Sequence, residues 1–201
     1  MRVAAGLAAA ALAAAAPPAC AEGWDLAATG YWNVPRGESD FASGIFTADR
    51  GALHLEARAN YEAIHAQSAF VGWTFSTGES LKLEATPIVG GVWGSTHGAI
   101  AGFEASATAG KFDGYIEAEY VRDSASRDSD YTYAWSELGY HPIEPLRLGL
   151  VAQRTRIYGG ERELQRGGFA QWTHGPATLS VYWFNPGSSD QVVIGALGVA
   201  F

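Results

Sequence analysis

The chain is poor in several residue types at once. It holds one cysteine, Cys20, one methionine, and lysine only at positions 82 and 111. A single cysteine cannot close an intrachain disulfide, so no disulfide framework supports the fold. Basic residues are few as well: 13 Lys and Arg face 21 Asp and Glu, for a formal charge of -8. That balance removes the electrostatic footprint of a nucleic-acid binder, and no such partner is expected. Beyond the amino terminus no long apolar run occurs. A spanning helix needs roughly 20 apolar residues, so no transmembrane helix is available.

The first apolar run, Val3 to Ala16, follows Arg2 and is almost all alanine. It leads into Pro17, Pro18, Ala19, Cys20 and Ala21, which reads as a secretory signal peptide cleaved after Ala21. Acylation at Cys20 is the alternative, disfavoured by the two prolines before it. With residues 1–21 removed, 22–201 form a single domain without cysteine, carrying 12 basic and 21 acidic residues and a formal charge of -9.

What the chain has is alternation. Segments of period two recur along its length, and none sustains a helical period. Twelve candidate strands result: Trp24 to Asn33, Phe41 to Ala48, Ala52 to Glu62, Ser68 to Ser76, Leu81 to Trp93, Ala99 to Ala109, Tyr115 to Arg122, Tyr131 to Tyr140, Leu146 to Tyr158, Gly167 to His174, Ala177 to Phe184 and Gln191 to Phe201. Ten strands is the runner-up, with Phe41 to Ala48 absorbed into a long loop. The connectors fall by turns into two kinds. Tight ones (47–51, 76–80, 109–114, 141–145, 173–177) alternate with mostly longer, more polar ones (33–40, 62–67, 94–98, 122–130, 159–165, 185–190).

The third candidate strand puts Leu53, Leu55, Ala57, Ala59 and Tyr61 on one face and His54, Glu56, Arg58, Asn60 and Glu62 on the other. A soluble sandwich could show the same alternation, so position along the strands decides. With the amino terminus on the periplasmic side, the outward aromatics form two rings. Trp32, Tyr61, Trp93, Tyr120, Tyr158 and Trp183 fall at one end, and Trp24, Trp73, Phe75, Tyr140, Trp172 and Phe201 at the other. Two aromatic girdles around an aliphatic band are the pattern of a bilayer-spanning barrel. The expected fold is therefore an all-β, antiparallel, up-and-down transmembrane barrel of twelve strands, monomeric, with no plug domain.

The last stretch, DQVVIGALGVAF from Asp190 to Phe201, alternates apolar residues on both faces and ends on an aromatic. It resembles the carboxy-terminal strand of bacterial outer-membrane β-barrel proteins, although Gln191 and Val192 stand where a further aromatic often occurs. The resemblance covers the architecture of the whole chain beyond residue 21 and points to no particular family. It implies an outer-membrane location, contact with lipid and lipopolysaccharide, and recognition of the strand ending in Phe201 by the barrel assembly machinery.

An apolar outside forces the charges inside. The expected lumen lining is Glu56, Arg58, Lys82, Glu84, Glu104, Glu117, Glu119, Glu137 and Arg147, with Asp25, Glu62, Tyr131, Tyr133 and Trp135 beside them. Two readings follow. Open, such a lumen favours small cations or neutral polar solutes, as in a narrow porin-like channel. Closed, the carboxylates pair with Arg58, Lys82 and Arg147 into a network that fills the barrel. A lipid-modifying enzyme or a binding role in the outer leaflet, or an accessory structural role, are the alternatives. No catalytic residue is assigned, because His54, His65, His97, His141 and His174 are scattered and no Gly-x-Ser-x-Gly motif occurs. No metal site or cofactor is expected. The oxygen-rich loop with Asp123, Asp128 and Asp130 lacks EF-hand spacing.

Overall fold

The computed structural model describes residues 23–160 and 162–201. The expected signal peptide lies outside the described residues. Thirteen strand segments follow one another: β1 (Asp25–Pro35), β2 (Phe41–Arg50), β3 (Leu53–Ala59), β4 (Ala66–Trp73), β5 (Phe75–Thr77), β6 (Lys82–Gly94), β7 (Gly98–Ala109), β8 (Phe112–Asp123), β9 (Tyr131–Ile143), β10 (Leu146–Ile157), β11 (Arg162–His174), β12 (Ala177–Phe184) and β13 (Val192–Ala200). Each pairs antiparallel with its neighbours. The sheet closes where β1 meets β13, from Ala27 against Ala200 to Pro35 against Val192. Closure leaves no free edge.

Segments β4 and β5 are two halves of one strand. Gly72 pairs with Ile88 and Phe75 with Ala85, so the register across β6 is the same on either side of Thr74. The barrel thus has twelve staves, and β2 is a full member paired to both β1 and β3. The ten-strand alternative is excluded.

Three hairpins at one end, β2–β3, β7–β8 and β11–β12, turn through two residues. Each begins with a glycine at positive φ: Gly51 at 61°, Gly110 at 58° and Gly175 at 56°. A two-residue hairpin of the II′ type requires that conformation at its first central residue, which a side chain there would strain. The opposite end carries the longer connectors, including 60–65, 124–130 and 185–191.

The outward surface is aliphatic between aromatic ends. Leu55, Val71, Val89, Leu138, Leu150, Leu179, Val181 and Leu197 are exposed, and toward the strand ends so are Trp32, Trp73, Phe75, Trp93, Tyr140, Trp172 and Trp183. In water, so much exposed apolar area would drive association. Around a closed barrel it is a surface made for hydrocarbon.

Candidate functional site in the barrel lumen

Strand β3 alternates without a fault, so His54, Glu56 and Arg58 all turn inward and are buried. Arg58 then crosses the lumen. Its guanidinium donates to Glu56, and from Nη1 to Glu117 Oε1 at 3.0 Å and Glu119 Oε1 at 2.8 Å on β8, four staves away. Glu62 at 3.5 Å and Glu104 at 3.7 Å complete the group. The cation also lies 4.7 Å from the centre of the Tyr61 ring and 4.5 Å from that of Phe70, with no exposed side-chain surface. One positive charge thus faces five carboxylates. All five carboxylates lie within 3.7 Å of the guanidinium, although Arg58 Nη2 and Glu62 Oε2 make no hydrogen bond, and removing the arginine would strand buried charge at a cost of about 3–5 kcal/mol.

A second cluster occupies the mouth at the short-turn end. Arg147 Nε donates to Asp113 at 2.9 Å and Nη1 to Gln171 at 2.8 Å, and Nη1 pairs with Glu137. His141 meets Asp113 at 2.9 Å. The Arg147 guanidinium stacks 4.6 Å from the centre of the Phe169 ring, and Phe169 can lie flat because a Cβ at Gly149 would run into it. Phe169 continues into an apolar group with Trp135, Val151, Tyr182, Phe184, Ile194 and Ala196. Across the barrel Ala66, Phe70, Ile88, Val92, Ile100 and Val121 form another. Much of the lumen is therefore packed, as in small barrels filled by side chains.

One space is left. A cavity of about 370 Å3 follows the inward face of β2 through Phe41, Ser43, Ile45 and Thr47, which are four successive inward positions of that strand. Glu56 adjoins Thr47 on the neighbouring strand, and Glu104, Glu117 and Glu137 stand farther round the barrel, with tyrosines 31, 61, 115, 133 and 182 completing the lining. At the seam Ala27 and Thr29 meet Ala200 and Gly198 in register, and farther along it Tyr31, Asn33 and Ile194 line the cavity. Glu117 is the hub of the polar wall, since Oε2 accepts from Tyr61 at 3.4 Å and Tyr115 at 3.5 Å while Oε1 takes Arg58.

The residues expected inside fall into three groups. Glu56, Arg58, Glu62, Glu104, Glu117 and Glu119 come together around Arg58, and Glu137 joins Arg147. Lys82 and Glu84 stay apart, exposed at the short-turn mouth, and Asp25 is exposed as well. Of the expected girdle, Trp32, Trp73, Trp93, Tyr120, Tyr140, Trp172, Trp183 and Phe201 face outward, while Trp24 is half-buried with Arg50 over its ring at 5.8 Å. Tyr61 departs from expectation. Asn60 adopts a φ of 54°, which ends the alternation of β3 and swings Tyr61 inward against Tyr31 and Tyr133. Its hydroxyl meets that of Tyr133 at 3.3 Å.

The acidic outer loop is occupied by its own backbone. Asp123 Oδ1 accepts from the amides of Ala125 and Ser126, and Asp130 accepts from the Asp123 amide and the Tyr120 hydroxyl. That hydroxyl holds the Asp130 carboxyl below its ordinary titration range. Among the loop hydroxyls, Ser95 donates to Ile64 O at 2.7 Å and Ser124 to His97 O at 2.9 Å. These serines anchor loops to one another, a structural use of the hydroxyl.

No family model and no curated sequence matches the chain. Solved structures similar to it are barrels. A BenF-like porin from Pseudomonas fluorescens aligns at 10% identity and a TM-score of 0.49, over 90% of this chain and 64% of that one. This chain thus spans under two thirds of that porin's length. A loop-deletion mutant of OmpT, an outer membrane protein of Vibrio cholerae, gives 7% identity and 0.45 over 89% and 98% of the two chains. The translocator domain of the autotransporter NalP from Neisseria meningitidis gives 14% and 0.42 over 89% and 88%. These likenesses concern architecture only.

Proposed function

We propose that the protein resides in a bacterial outer membrane and is a narrow passive channel for small cations and small polar solutes. The observation that carries this reading is the cavity along β2, where the uncharged Phe41, Ser43, Ile45 and Thr47 share the space with Glu56, Glu104, Glu117 and Glu137. The two arginines that offset these carboxylates lie within the packed wall, so the space itself sees an excess of negative charge. Carboxylates beside a narrow, low-dielectric passage raise the local concentration of cations and exclude anions. The tyrosine hydroxyls supply exchangeable hydrogen-bond partners along the way. No bond is made or broken in this function.

The packing sets the scale. Side chains occupy the rest of the cross-section, so the passage admits ions and small molecules one at a time, and its conductance is far below that of a wide porin. Planar-bilayer recording across a salt gradient tests the reading. The reversal potential of the folded protein shows cation preference, and Glu104→Gln with Glu117→Gln reduces that preference. Silent membranes with verified insertion would refute conduction and leave a closed barrel with a binding or structural role.

A further inference from the structure

The lumen also carries a group of metal-ligating atoms, two of whose carboxylates, Glu56 and Glu104, line the cavity as well. His54, Glu56 and Glu104 each offer one ligand atom, and these atoms lie within 4.8 Å of one another. We propose that they form a binding site for one divalent transition-metal ion of the zinc class. The site stands or falls independently of whether the barrel conducts.

The argument begins with His54. Its Nδ1 lies 2.7 Å from Oδ1 of Asp49, its direct cross-strand partner on β2. A carboxylate at that distance holds a proton on Nδ1, so that in the neutral ring Nε2 carries the lone pair, the arrangement by which an outer carboxylate orients a metal-binding histidine. Nε2 points at Oε2 of Glu56, 3.3 Å away. Either a proton on Nε2 or a metal ion in its place bridges that approach, and the metal competes with the proton for the same lone pair. Glu56 can serve both sides at once, because Arg58 is bonded through Oε1 and leaves Oε2 to the ion.

Glu104 supplies the third ligand from β7. It sits directly opposite Glu117 on β8, a like-charge pair that is unfavourable across neighbouring strands. Arg58 reaches it only at 3.7 Å, after contacting Glu56, Glu117 and Glu119 more closely. A divalent ion at Glu104 relieves that repulsion. Access is provided as well, since Glu56 and Glu104 both line the cavity. The donor set selects the class of ion. One imidazole nitrogen with two carboxylates suits zinc and its first-row neighbours, whereas magnesium and calcium favour sites built from oxygen alone. Ligand atoms around tetrahedral zinc are about 3.4 Å apart, so closure requires small rotations of the two glutamates.

Isothermal titration of the folded, untagged barrel in detergent tests the site, with Zn2+ as the probe and Mg2+ and Ca2+ as comparison. The expected result is about one zinc ion per barrel and at least tenfold weaker binding of magnesium and calcium, as the imidazole ligand requires. His54→Gln abolishes the zinc isotherm. Asp49→Asn, which disturbs only the orienting carboxylate, weakens it by about 10–100-fold. If His54→Gln does not fold, Glu104→Gln decides, because Glu104 is the most accessible ligand and the change keeps its shape. No saturable zinc binding by the unmodified protein would overturn the proposal. So would binding that survives both His54→Gln and Glu104→Gln, or calcium binding as tight as zinc.

Discussion

On β3 and β8 the inward residues are His54, Glu56, Arg58, Glu117 and Glu119, and all five are buried by contact with one another. On β2 they are Phe41, Ser43, Ile45 and Thr47, which form no ion pair and border the cavity. Both walls belong to one sheet and share the same alternation. The difference lies in side-chain length and charge alone. Long charged residues fill the lumen by bridging staves that are not neighbours, while short ones leave it hollow. Strand number fixes the barrel's girth, and the inward residues of two or three staves decide whether anything remains open.

The charged wall breaks most readily at Arg58. Arg58→Met keeps much of the volume but strands four deeply buried carboxylates, and urea unfolding in lipid vesicles should show a loss of about 3–5 kcal/mol at neutral pH. Adding Glu117→Gln and Glu119→Gln to the same chain should return part of it. A loss within experimental scatter would mean that the wall is not held by this arginine. Arg147→Met is the smaller version of the same experiment. The side chain keeps 14% of its surface exposed at the mouth, so the expected loss is about 1–3 kcal/mol, the scale of hydrogen bonds to charged groups.

The outer loop offers the mildest perturbation. Asp130 titrates below its ordinary range because the Tyr120 hydroxyl donates to it. A lowered folded value contributes stability that is complete above the unfolded value of about 3.9 and is lost as pH falls through the folded one. Hydrogen exchange at the Tyr158 and Gly159 amides, which bond to Asp130 O and Asp128 O, should therefore quicken in acid relative to the intrinsic rate at that pH, which itself slows with acidity. In Tyr120→Phe it should quicken already at neutral pH, with the barrel strands unaffected.

Much of this could be read from the chain itself. Period two located eleven strands within a few residues and one, β11, from eight of its 13 residues, while the exposed aromatics at the strand ends followed from which parity carried Leu and Val. Tyr61 could not be placed because the change of phase depends on one left-handed residue, Asn60, whose type permits that conformation without requiring it. The partners of Arg58 were also hidden. Glu117 and Glu119 lie 59 and 61 residues away, and only the closure of the barrel brings them within reach. His54 and Glu56 share a face at first sight, but Glu104 joins them from a strand two staves beyond β4. The cavity was least visible of all, because it arises from what Ser43 and Thr47 do not fill.

The contrast between the two walls is tested most directly by thiol accessibility, since the chain has no cysteine after Cys20. Single substitutions Ser43→Cys and Thr47→Cys on the hollow wall, and Ser68→Cys on β4, buried beside the filled one, would be treated with a small cationic thiol reagent in reconstituted membranes. Rapid modification at 43 and 47, with a fall in current, and inertness at 68 are the predicted results. Equal inertness at all three positions would contradict the account, because it would mean that the space along β2 is closed to water.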